Sequence, residues 1–383
     1  MTFELDILHS FPEPGIFYRD YWNRRPFVVK AGVDDQLVRS LLTPEELAGL
    51  SLEEDVRSRL VSGPEGGWTC RHGPFEEEDF DMPVDRQWNL LVHNVEQFHP
   101  PVANLLPLFA FSPRWLLDDI MVSYSVPGGS VGPHIDSYHV FLVQGQGKRR
   151  WKIGSQPLMN EHYIPEIDLR VLQDEFEGTS VEVEAGDVIY IPPRIPHEGI
   201  TLESALTFSV GFLGPSVPEL FMAYGQYLAE QGADGERFLA GGASLEDSGF
   251  SIGKNVVEGI RDLMQAGLKG DHFSEWLTAY FSEPGIVSEY SEADPQAAMD
   301  RSGAEISLAR PEEDKMVIVA TTSGWQLVGY RGRCYRISPE NAPIVRKLES
   351  GEKFTITSLE GQIGNDDLPA LLKNIFAASY DHR

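Results

Sequence analysis

Four short apolar segments constrain the fold of this chain more than any other feature of its sequence. Each has the length and the β-branched and aromatic composition of a strand: IMVSYSV (120–126), YHVFLVQ (138–144), RRWKIG (149–154) and DVIYIP (187–192). Glycine and proline separate them, in PGGSVGP (127–133), GQG (145–147) and PPRIP (192–196). Many short strands with such turns favour a sandwich or a small barrel over a parallel sheet. Residues 101–215 are therefore predicted to form a mainly β core.

The regions at the two ends of the chain combine strands with helices. Residues 1–100 predict an α/β lead-in, because FYRDYWNRRPFVVK (17–30) fits a short helix followed by a strand, and Thr43 is a typical helix N-cap. Residues 286–383 predict a separate C-terminal unit. Its strands are expected in MVIVATT, GWQLVGY and RCYRI, and its closing helix at 366–380.

Residues 216–285 have the apolar spacing of helices. The pattern predicts two amphipathic helices, over 218–231 and 255–282. These helices could pack on the barrel or form a subunit interface. We expect a homodimer, because the two segments carry many large apolar side chains: Phe221, Met222, Tyr224, Leu228, Trp276, Tyr280 and Phe281.

The charge of the chain limits its partners. Its 59 acidic and 31 basic residues give a formal net charge of -28. Such a chain repels phosphate backbones and anionic membranes, so we expect no direct binding to nucleic acid and none to a membrane. The same charge favours the capture of a basic protein partner.

The cysteines and the N-terminus bear on the compartment. Cys70 and Cys334 are the two cysteines, and no CxxC pair exists. A disulfide framework and a thiolate zinc site are therefore not expected, and a reducing compartment fits. The N-terminus lacks the features of a secretory signal, and no run of about 18 apolar residues occurs. We expect a cytoplasmic location.

The sequence GPHID (132–136) carries a candidate metal site. His134 and Asp136 are two residues apart, so on a strand both side chains point to the same face. His197, just after DVIYIP, is the candidate third ligand. Two histidines and one carboxylate leave positions open for a co-substrate and O2, as in non-haem Fe(II) oxygenases. A structural histidine in a turn and a cupin-type site for another metal are the alternatives.

A basic strand follows this candidate metal site. If the site binds iron and a 2-oxo dicarboxylic acid, the distal carboxylate of that acid needs a cation, and arginine offers two parallel hydrogen bonds. Arg149 shares a strand face with Trp151 and Ile153, whereas Lys148 and Arg150 lie on the opposite face. We therefore predict that Arg149 points into the barrel. The alternative is a solvated basic strand at the edge of the sheet.

The stretches that carry these residues resemble the JmjC-type bacterial ribosomal oxygenases, in particular the ribosomal protein arginine hydroxylases. The resemblance covers most of residues 15–215 and is much weaker beyond residue 290. It rests on FYRDYWNRRPFVVK (17–30), LAGLSLEEDVRSRLV (47–61), HGPFEEED (72–79), DDIMVSYSVPGGSVGPHIDSYHVFLVQGQGKRRWKIG (118–154) and AGDVIYIPPRIPHEGITLESALTFSVGF (185–212). It implies a double-stranded β-helix barrel of the cupin/JmjC type over 101–215. A helical dimerisation region (216–285) and a winged-helix-like C-terminal domain (286–383) would follow.

The resemblance also implies an activity. Such enzymes use Fe(II), 2-oxoglutarate and O2 to hydroxylate the β-carbon of one arginine in a basic large-subunit ribosomal protein. The metal ligands of the family fall on His134, Asp136 and His197, and its co-substrate cation falls on Arg149.

Strand parity adds further candidates around these residues. Ser123 and Ser125 lie on one strand face and could hold the carboxylates of 2-oxoglutarate. Asp119 has the same parity, and Tyr138 continues the alternation of the two metal ligands before it. An acid and an aromatic ring could pair with and stack on a substrate guanidinium. Weaker candidates of the serine type are Thr207 and Ser209.

Three other functions remain open at this point. A histidine hydroxylase and a lysine demethylase of the same superfamily use the same iron chemistry. A non-enzymatic module that binds a ribosomal protein is the third alternative. The complete metal triad together with Arg149 argues against that last one.

Overall fold

The structure, a computed structural model, describes residues 2–63, 67–81, 86–231, 237–240, 251–284, 306–356 and 366–381. Its backbone contacts divide the chain into two compact units, Met1–Gly214 and Pro215–Arg383. The predicted division into four regions is finer than this and stays a prediction. The sequence predicts a loop over 232–250 and an acidic linker, EPGIVSEYSEADPQ, over 283–296, and most of both lies outside the described residues.

The strands of the first unit join in one sheet. They are β1 (Asp6–Leu8), β2 (Phe27–Val29), β3 (Ser58–Ser62), β4 (Thr69–His72), β5 (Trp88–Val92), β6 (Leu117–Ser125), β7 (His139–Gly154), β8 (Gly178–Glu184), β9 (Val188–Ile191) and β10 (His197–Phe212). Their order is β1-β2-β9-β7-β10-β6-β5-β3-β4, and β8 also pairs with β7. The β1–β2 pair is parallel, whereas β7 pairs with all its neighbours in the antiparallel sense. Residues 101–215 are thus mainly β, and the lead-in before them mixes strands and helices.

Short helices precede and connect these strands. They are α1 (Pro14–Ile16), which continues as a π-helix (Phe17–Tyr21), α2 (Asp35–Ser40), α3 (Pro44–Leu50) and α4 (Val95–Phe98), with 3-10 helices at Glu77–Phe80, Pro100–Phe109 and Arg114–Leu116. Thr43 caps α3 as its sequence predicts. Its hydroxyl accepts from the amide of Glu46, whose side chain accepts from the amide of Thr43.

Two long strands, β7 and β10, organise the barrel. The first half of β7 pairs with β9 and its second half with β8, while β10 pairs with both halves. Gly147 lies between the halves at a φ of 68°, and a β-carbon there would lie 2.0 Å from the carbonyl oxygen of Ser204. The strand therefore continues through GQG, and the predicted break between two strands was wrong. Glycine in a strand can mark a close approach of a neighbouring backbone as well as a turn.

The two faces of the sheet bury different residue types. On the outer face, Phe141, Val122 and Phe208 pack with the N-terminal helices in a large apolar core. The inner face carries a smaller apolar cluster around Trp151 and Ile153. On that inner face lie also three buried polar side chains, those of Arg149, Gln144 and Thr207. A few polar groups among apolar ones are typical of a pocket for a small polar ligand.

The second unit begins with helices and continues with small sheets. The helices are α5 (Val217–Glu230), α6 (Lys254–Gly267) and α7 (Asp271–Tyr280). Then follow β11 (Ile306–Leu308), β12 (Met316–Ala320), β13 (Gln326–Tyr330), β14 (Arg333–Ile337), α8 (Ala342–Glu349), β15 (Phe354–Ile356) and α9 (Leu368–Asp381). β12-β13-β14 form one antiparallel sheet, and β11 pairs with β15.

The helix predicted over 255–282 is two helices. Helix α6 ends at Gly267, and α7 begins after Gly270, whose φ of -74° and ψ of 157° are not helical. Apolar spacing persisted across the break, so the pattern alone did not reveal it. Among the described residues, no helix combines the length and the apolar character that crossing a membrane requires.

Candidate active site

His134 and His197 are paired through the main chain. The amide of each donates to the carbonyl oxygen of the other, at 3.0 Å in both directions. Directly opposed residues of antiparallel segments project to the same side, so the two imidazoles lie together. Oδ2 of Asp136 lies 3.5 Å from Nε2 of His197. The structure thus brings the three predicted ligands together, with one ligating atom of each within 4.8 Å of the other two.

Both histidines are held in the same tautomer. Nδ1 of His134 lies 2.9 Å from the carbonyl oxygen of Gly132, and Nδ1 of His197 lies 2.9 Å from that of Ile195. A carbonyl oxygen only accepts, so each Nδ1 carries the proton and donates it. Each Nε2 therefore keeps its lone pair for a metal ion, an arrangement usual for metal-binding histidines.

Burial keeps His197 neutral. Its side chain is 1% exposed, and burial, followed by the nearby His134, lowers its pKa to about 4. The neutral imidazole is the form that binds a metal ion, so no proton has to leave at neutral pH. The third ligand is positioned by the backbone, because the carbonyl of Asp136 accepts from the amide of Arg194 at 2.9 Å.

Arg149 is buried in the barrel interior and is 3% exposed. Its Nη1 donates to Oγ1 of Thr207 and its Nη2 to the carbonyl of Gly199, each at 3.3 Å. Its Nε has no partner in the described part of the chain. Burial lowers the pKa of Arg149 to about 10, and no acidic group in the described part of the chain opposes this effect. A buried cation is costly without an anion, so this guanidinium suits a carboxylate ligand.

The neighbours of Arg149 in β7 point outward. Arg150 pairs with Glu182 at 2.9 Å, and Lys148 lies between Glu184 and Glu203. All these side chains are exposed to solvent. Local strand parity therefore separated the one inward cation from its two outward neighbours.

Thr207 connects Arg149 to other polar groups of the inner face. Its hydroxyl accepts from Arg149 and donates to Oε1 of Gln144 at 3.3 Å. Ser123 lies directly opposite Thr207 across the β6–β10 pair. Ser209 lies two residues farther along the same face of β10. Thr207, a weaker candidate from the sequence, thus contacts Arg149 directly, and Ser123 lies opposite Thr207 on the neighbouring strand.

Ser125 is differently placed, because its hydroxyl already accepts from Oγ1 of Thr201 at 2.7 Å. Sequence reasoning missed the residue opposite it on β5, Asn89. Asn89 is fully buried, and neither Oδ1 nor Nδ2 has a partner among the described residues. Nε1 of Trp151 is also buried without a partner there. A lone asparagine inside the apolar strand WNLLV was the available signal for Asn89.

Asp119 and Tyr138 approach the same backbone position. A β-carbon added to Gly211 would lie 3.6 Å from Oδ1 of Asp119 and 3.7 Å from Cε2 of Tyr138. Asp119 is 8% exposed. Burial raises the pKa of Tyr138, and the nearby carboxylates of Asp136 and Asp119 raise it further. Tyr138 therefore lies close to the metal-ligand candidate Asp136 and to Asp119.

A histidine that the sequence did not reveal holds Asp119. Nδ1 of His93 lies 3.0 Å from Oδ2 of Asp119, and Nη2 of Arg59 lies 3.3 Å from Nε2 of the same ring. A guanidinium only donates, so Nε2 accepts and Nδ1 carries the proton that it donates to Asp119. The amide of Asn94 also donates to Oδ2, at 3.3 Å. These contacts engage Oδ2, while Oδ1 is the oxygen that faces Gly211.

Comparisons with known proteins place this geometry in a family. A family model described as the JmjC domain matches residues 104–220. The chain is 38% identical over 269 residues to the ribosomal protein uL16 3-hydroxylase of Escherichia coli, which is 70% of this chain and 70% of that protein. The chain belongs to the JmjC ribosomal oxygenases. The probable ribosomal oxygenase of Haemophilus influenzae is 38% identical over 223 residues, 58% of this chain and 54% of that protein.

Solved structures of ribosomal oxygenases align with nearly the full length of this chain. The crystal structure of E. coli YcfD has a TM-score of 0.76 at 31% identity and covers 98% of this chain and 99% of that one. The structure of E. coli YcfD in complex with cobalt and 2-oxoglutarate has a TM-score of 0.75 at 30% identity, with 96% of each chain covered. The predicted fold class, a mainly β barrel of the cupin/JmjC type with helices, is confirmed.

Proposed function

We propose that this ribosomal oxygenase uses Fe(II), 2-oxoglutarate and O2 to hydroxylate the β-carbon of an arginine in a large-subunit ribosomal protein. The observation that carries the proposal is the buried guanidinium of Arg149, which has no acidic partner among the described residues. It lies on the inner face of the barrel that also holds two histidines and a carboxylate. The uL16 3-hydroxylase of E. coli and the cobalt and 2-oxoglutarate complex of YcfD support the same conclusion.

The metal would be held by Nε2 of His134, Nε2 of His197 and the carboxylate of Asp136. Two imidazoles and one carboxylate suit Fe(II) and leave open positions for a bidentate co-substrate and O2. Bound Fe(II) supplies the oxidising chemistry, in which 2-oxoglutarate and O2 become succinate and CO2 while one oxygen atom enters the substrate C–H bond. The protein itself orients the reactants and excludes water.

The barrel interior fits the co-substrate. Arg149 would donate to the distal carboxylate. Its Nε has no partner among the described residues and can donate to a ligand as well. Thr207 accepts from the guanidinium, and Ser123 lies opposite Thr207 on β6, so the Ser123 hydroxyl would donate to the same anion. Asn89 and Trp151 add further buried donors without partners among the described residues. Unsatisfied buried groups of this kind indicate a ligand, because each is costly if it stays unpaired.

Asp119 and Tyr138 would hold the substrate side chain. Oδ1 of Asp119, the oxygen that faces Gly211, can accept from a guanidinium, and the ring of Tyr138 offers a surface for stacking. The net charge of -28 favours encounter with a basic ribosomal protein. We place this reaction in the cytoplasm, where ribosomal proteins are available as substrates.

Mass spectrometry of the uL16 protein encoded in the same genome tests the proposal. Incubation with the enzyme, Fe(II) and 2-oxoglutarate should add one oxygen atom to a single arginine-containing peptide. Addition to a histidine peptide would leave the chemistry intact and overturn the arginine assignment. Loss of a methyl group from lysine would indicate a demethylase. Binding of uL16 without any turnover of 2-oxoglutarate would indicate a binding module.

We further propose that the helices after the barrel form a homodimer. Exposed apolar side chains recur along α6 at Val257, Ile260, Met264 and Leu268, with spacings of three and four residues. On α5, Phe221 and Met222 are exposed as well. A second copy of this chain is the partner that would cover such a stripe.

Two of the residues expected at this interface lie inside the second unit instead. Tyr224 and Trp276 are each 5% exposed, with ring centroids 4.8 Å apart. The hydroxyl of Tyr224 donates to the carbonyl of Gly267 at 2.7 Å, which ties α5 to the end of α6. Helical spacing identifies apolar faces but does not show which face a neighbouring helix of the same unit covers.

We also propose that residues 286–383 form a winged-helix-like domain. Its support is the antiparallel sheet β12-β13-β14, which shares a core with the two helices after it. Val328 and Tyr330 of the sheet pack in one cluster with Val345 of α8 and Leu372 of α9.

A further inference from the structure

A second cluster of metal-ligating side chains lies outside the candidate active site. Cys70 and His72 stand two residues apart on β4, and Asp168 comes from the segment between β7 and β8. Nε2 of His72 lies 4.0 Å from Sγ of Cys70 and 2.6 Å from Oδ2 of Asp168. One ligating atom of each residue lies within 4.8 Å of the other two. No local sequence pattern revealed this site, because Asp168 is 96 positions from His72 along the chain.

The strand β4 presents this cluster in a defined orientation. It is the last strand of the sheet and pairs with β3. Arg71, on its other face, forms an ion pair with Asp79 and lies over the ring of Phe75 at 5.7 Å. Because alternate residues of a strand point to opposite faces, these contacts fix the side on which Cys70 and His72 project.

The donor set has a clear preference. A thiolate, an imidazole and a carboxylate on one ion suit a borderline-soft divalent metal, above all Zn²⁺. We propose that Cys70, His72 and Asp168 bind one Zn²⁺ ion, with water in the fourth position, at a site separate from the His134–Asp136–His197 triad. The lack of a CxxC pair led us to expect no thiolate zinc site, and the proposal departs from that expectation because a site with a single thiolate needs no such pair.

Binding requires a small rearrangement and the loss of one proton. Tetrahedral zinc with ligands at about 2.0–2.3 Å holds its ligating atoms roughly 3.3–3.6 Å apart. The sulfur would therefore move slightly inward and the Asp168 oxygen slightly outward. His72 and Asp168 are exposed, so both side chains can adjust. The Cys70 thiol would release its proton to solvent as the ion binds.

The two chain segments that supply this cluster also pack beside the candidate iron site. Trp68 lies two residues before Cys70, and Val171 lies three residues after Asp168. Both pack on Gly132. A β-carbon on Gly132 would lie 3.0 Å from Cζ2 of Trp68 and 2.8 Å from Cγ1 of Val171. The amide of Leu172 also donates to the carbonyl of Pro133 at 2.7 Å. An ion at the cluster would thus join two segments that contact the residues just before His134.

Cobalt titration of the intact protein tests the proposal, with Co²⁺ as a visible substitute for Zn²⁺. The triad contains no sulfur, so a thiolate-to-cobalt charge-transfer band reports the second site alone. We expect this band to saturate at one ion per chain and to disappear when Zn²⁺ is added in excess. Cys70→Ser, His72→Ala and Asp168→Ala should each abolish or strongly weaken it. Cys334→Ser, which removes the other cysteine, should leave it unchanged.

Thiol labelling provides a second and independent readout. Zn²⁺ should protect Cys70 from alkylation in the wild-type chain and lose this effect in Asp168→Ala, as measured by mass spectrometry of the Cys70 peptide. A wild-type chain whose Cys70 alkylates fully with or without Zn²⁺, and which shows no band, would overturn the proposal. A band that survives Cys70→Ser would do so as well, since the thiolate would then belong to Cys334.

Discussion

His134 and His197 exchange both of their main-chain hydrogen bonds, although 62 residues lie between them in the chain. The pairing sets the separation of their imidazoles, whose ring centroids lie 4.3 Å apart. The hydrogen bonds from the two Nδ1 atoms to carbonyl oxygens then direct both Nε2 atoms to the same point. The geometry of the candidate metal site thus depends on backbone groups that no side-chain substitution removes.

Removal of a triad residue should abolish metal binding at this site. Loss of a hydrogen-bond partner of a metal ligand typically weakens metal binding about 10- to 100-fold. Asp136→Ala and His197→Ala remove a ligand itself, so each should weaken Mn²⁺ binding by more than this. Calorimetric titration with Mn²⁺ measures this and favours the triad, because Mn²⁺ prefers carboxylate and imidazole ligands to thiolate. The control is His162→Ala, which removes an exposed histidine paired with Asp174. Unchanged Mn²⁺ affinity in both triad variants would contradict the assignment.

Arg149→Ala should raise the KM for 2-oxoglutarate while Mn²⁺ binding persists. A hydrogen bond to a charged group contributes about 1.5–3 kcal/mol, so the expected increase is about 10- to 100-fold. Steady-state consumption of 2-oxoglutarate measures it. Arg150→Ala removes the exposed neighbour that pairs with Glu182 and should leave the KM unchanged. Equal effects of the two substitutions would show that position 149 does not bind the co-substrate.

Asp119→Asn should impair use of the ribosomal protein and spare the co-substrate. The variant keeps the shape of the side chain but loses the charge that would pair with an arginine, so kcat/KM for the protein substrate should fall about 10- to 100-fold. Turnover of 2-oxoglutarate without protein substrate should continue at its wild-type rate. Asp118→Asn, at the neighbouring exposed position of β6, serves as the matched control. A proportional loss in both reactions would mean that Asp119 only supports the structure.

His139 should make the fold less stable as the pH falls. Its ring stacks on Trp22 at 3.6 Å, its Nδ1 lies 2.8 Å from the hydroxyl of Tyr190, and burial lowers its pKa from 6.5 to about 4. The unfolded chain therefore takes up the proton first, so stability is full above pH 6.5 and declines towards pH 4. In His139→Gln, the free energy of unfolding should fall by about 2 kcal/mol less over this pH range than in the wild type. Urea unfolding of both proteins across this range measures it, and parallel pH profiles would contradict the prediction.

Ile260→Glu should dissociate the proposed homodimer. A charge in the centre of an apolar interface leaves an uncompensated buried carboxylate, which favours the separated chains. Light scattering on the intact protein should show a dimer for the wild type and a monomer for the variant. Gln265→Glu adds the same charge to the same helix outside the apolar stripe and should remain dimeric. A monomeric wild type would leave α6 as an exposed helix with no role in assembly.

Local sequence patterns sufficed for features that depend on the period of one element. Strand alternation turned Arg149 inward while its neighbours point outward, because side chains of a strand alternate with a period of two regardless of the partner strand. The Thr43 cap was equally local. Strand alternation does not account for His134 and Asp136, which lie between β6 and β7 outside the named strands. Helical spacing marked α5 and α6 as amphipathic, but not which apolar residues a neighbouring helix would cover. Tyr224 and Trp276 were therefore misplaced.

Contacts between distant residues depend on the three-dimensional fold. The partnership of His93 with Asp119, the position of Asn89 opposite Ser125 and the approach of Asp168 to His72 all require pairing between segments far apart in the chain. Such pairing is fixed by the register of the sheet and by loop packing, which no local pattern of residues encodes. The continuation of β7 through Gly147 is of the same kind. The glycine marks the position, but the carbonyl of Ser204 that excludes a side chain there comes from another strand.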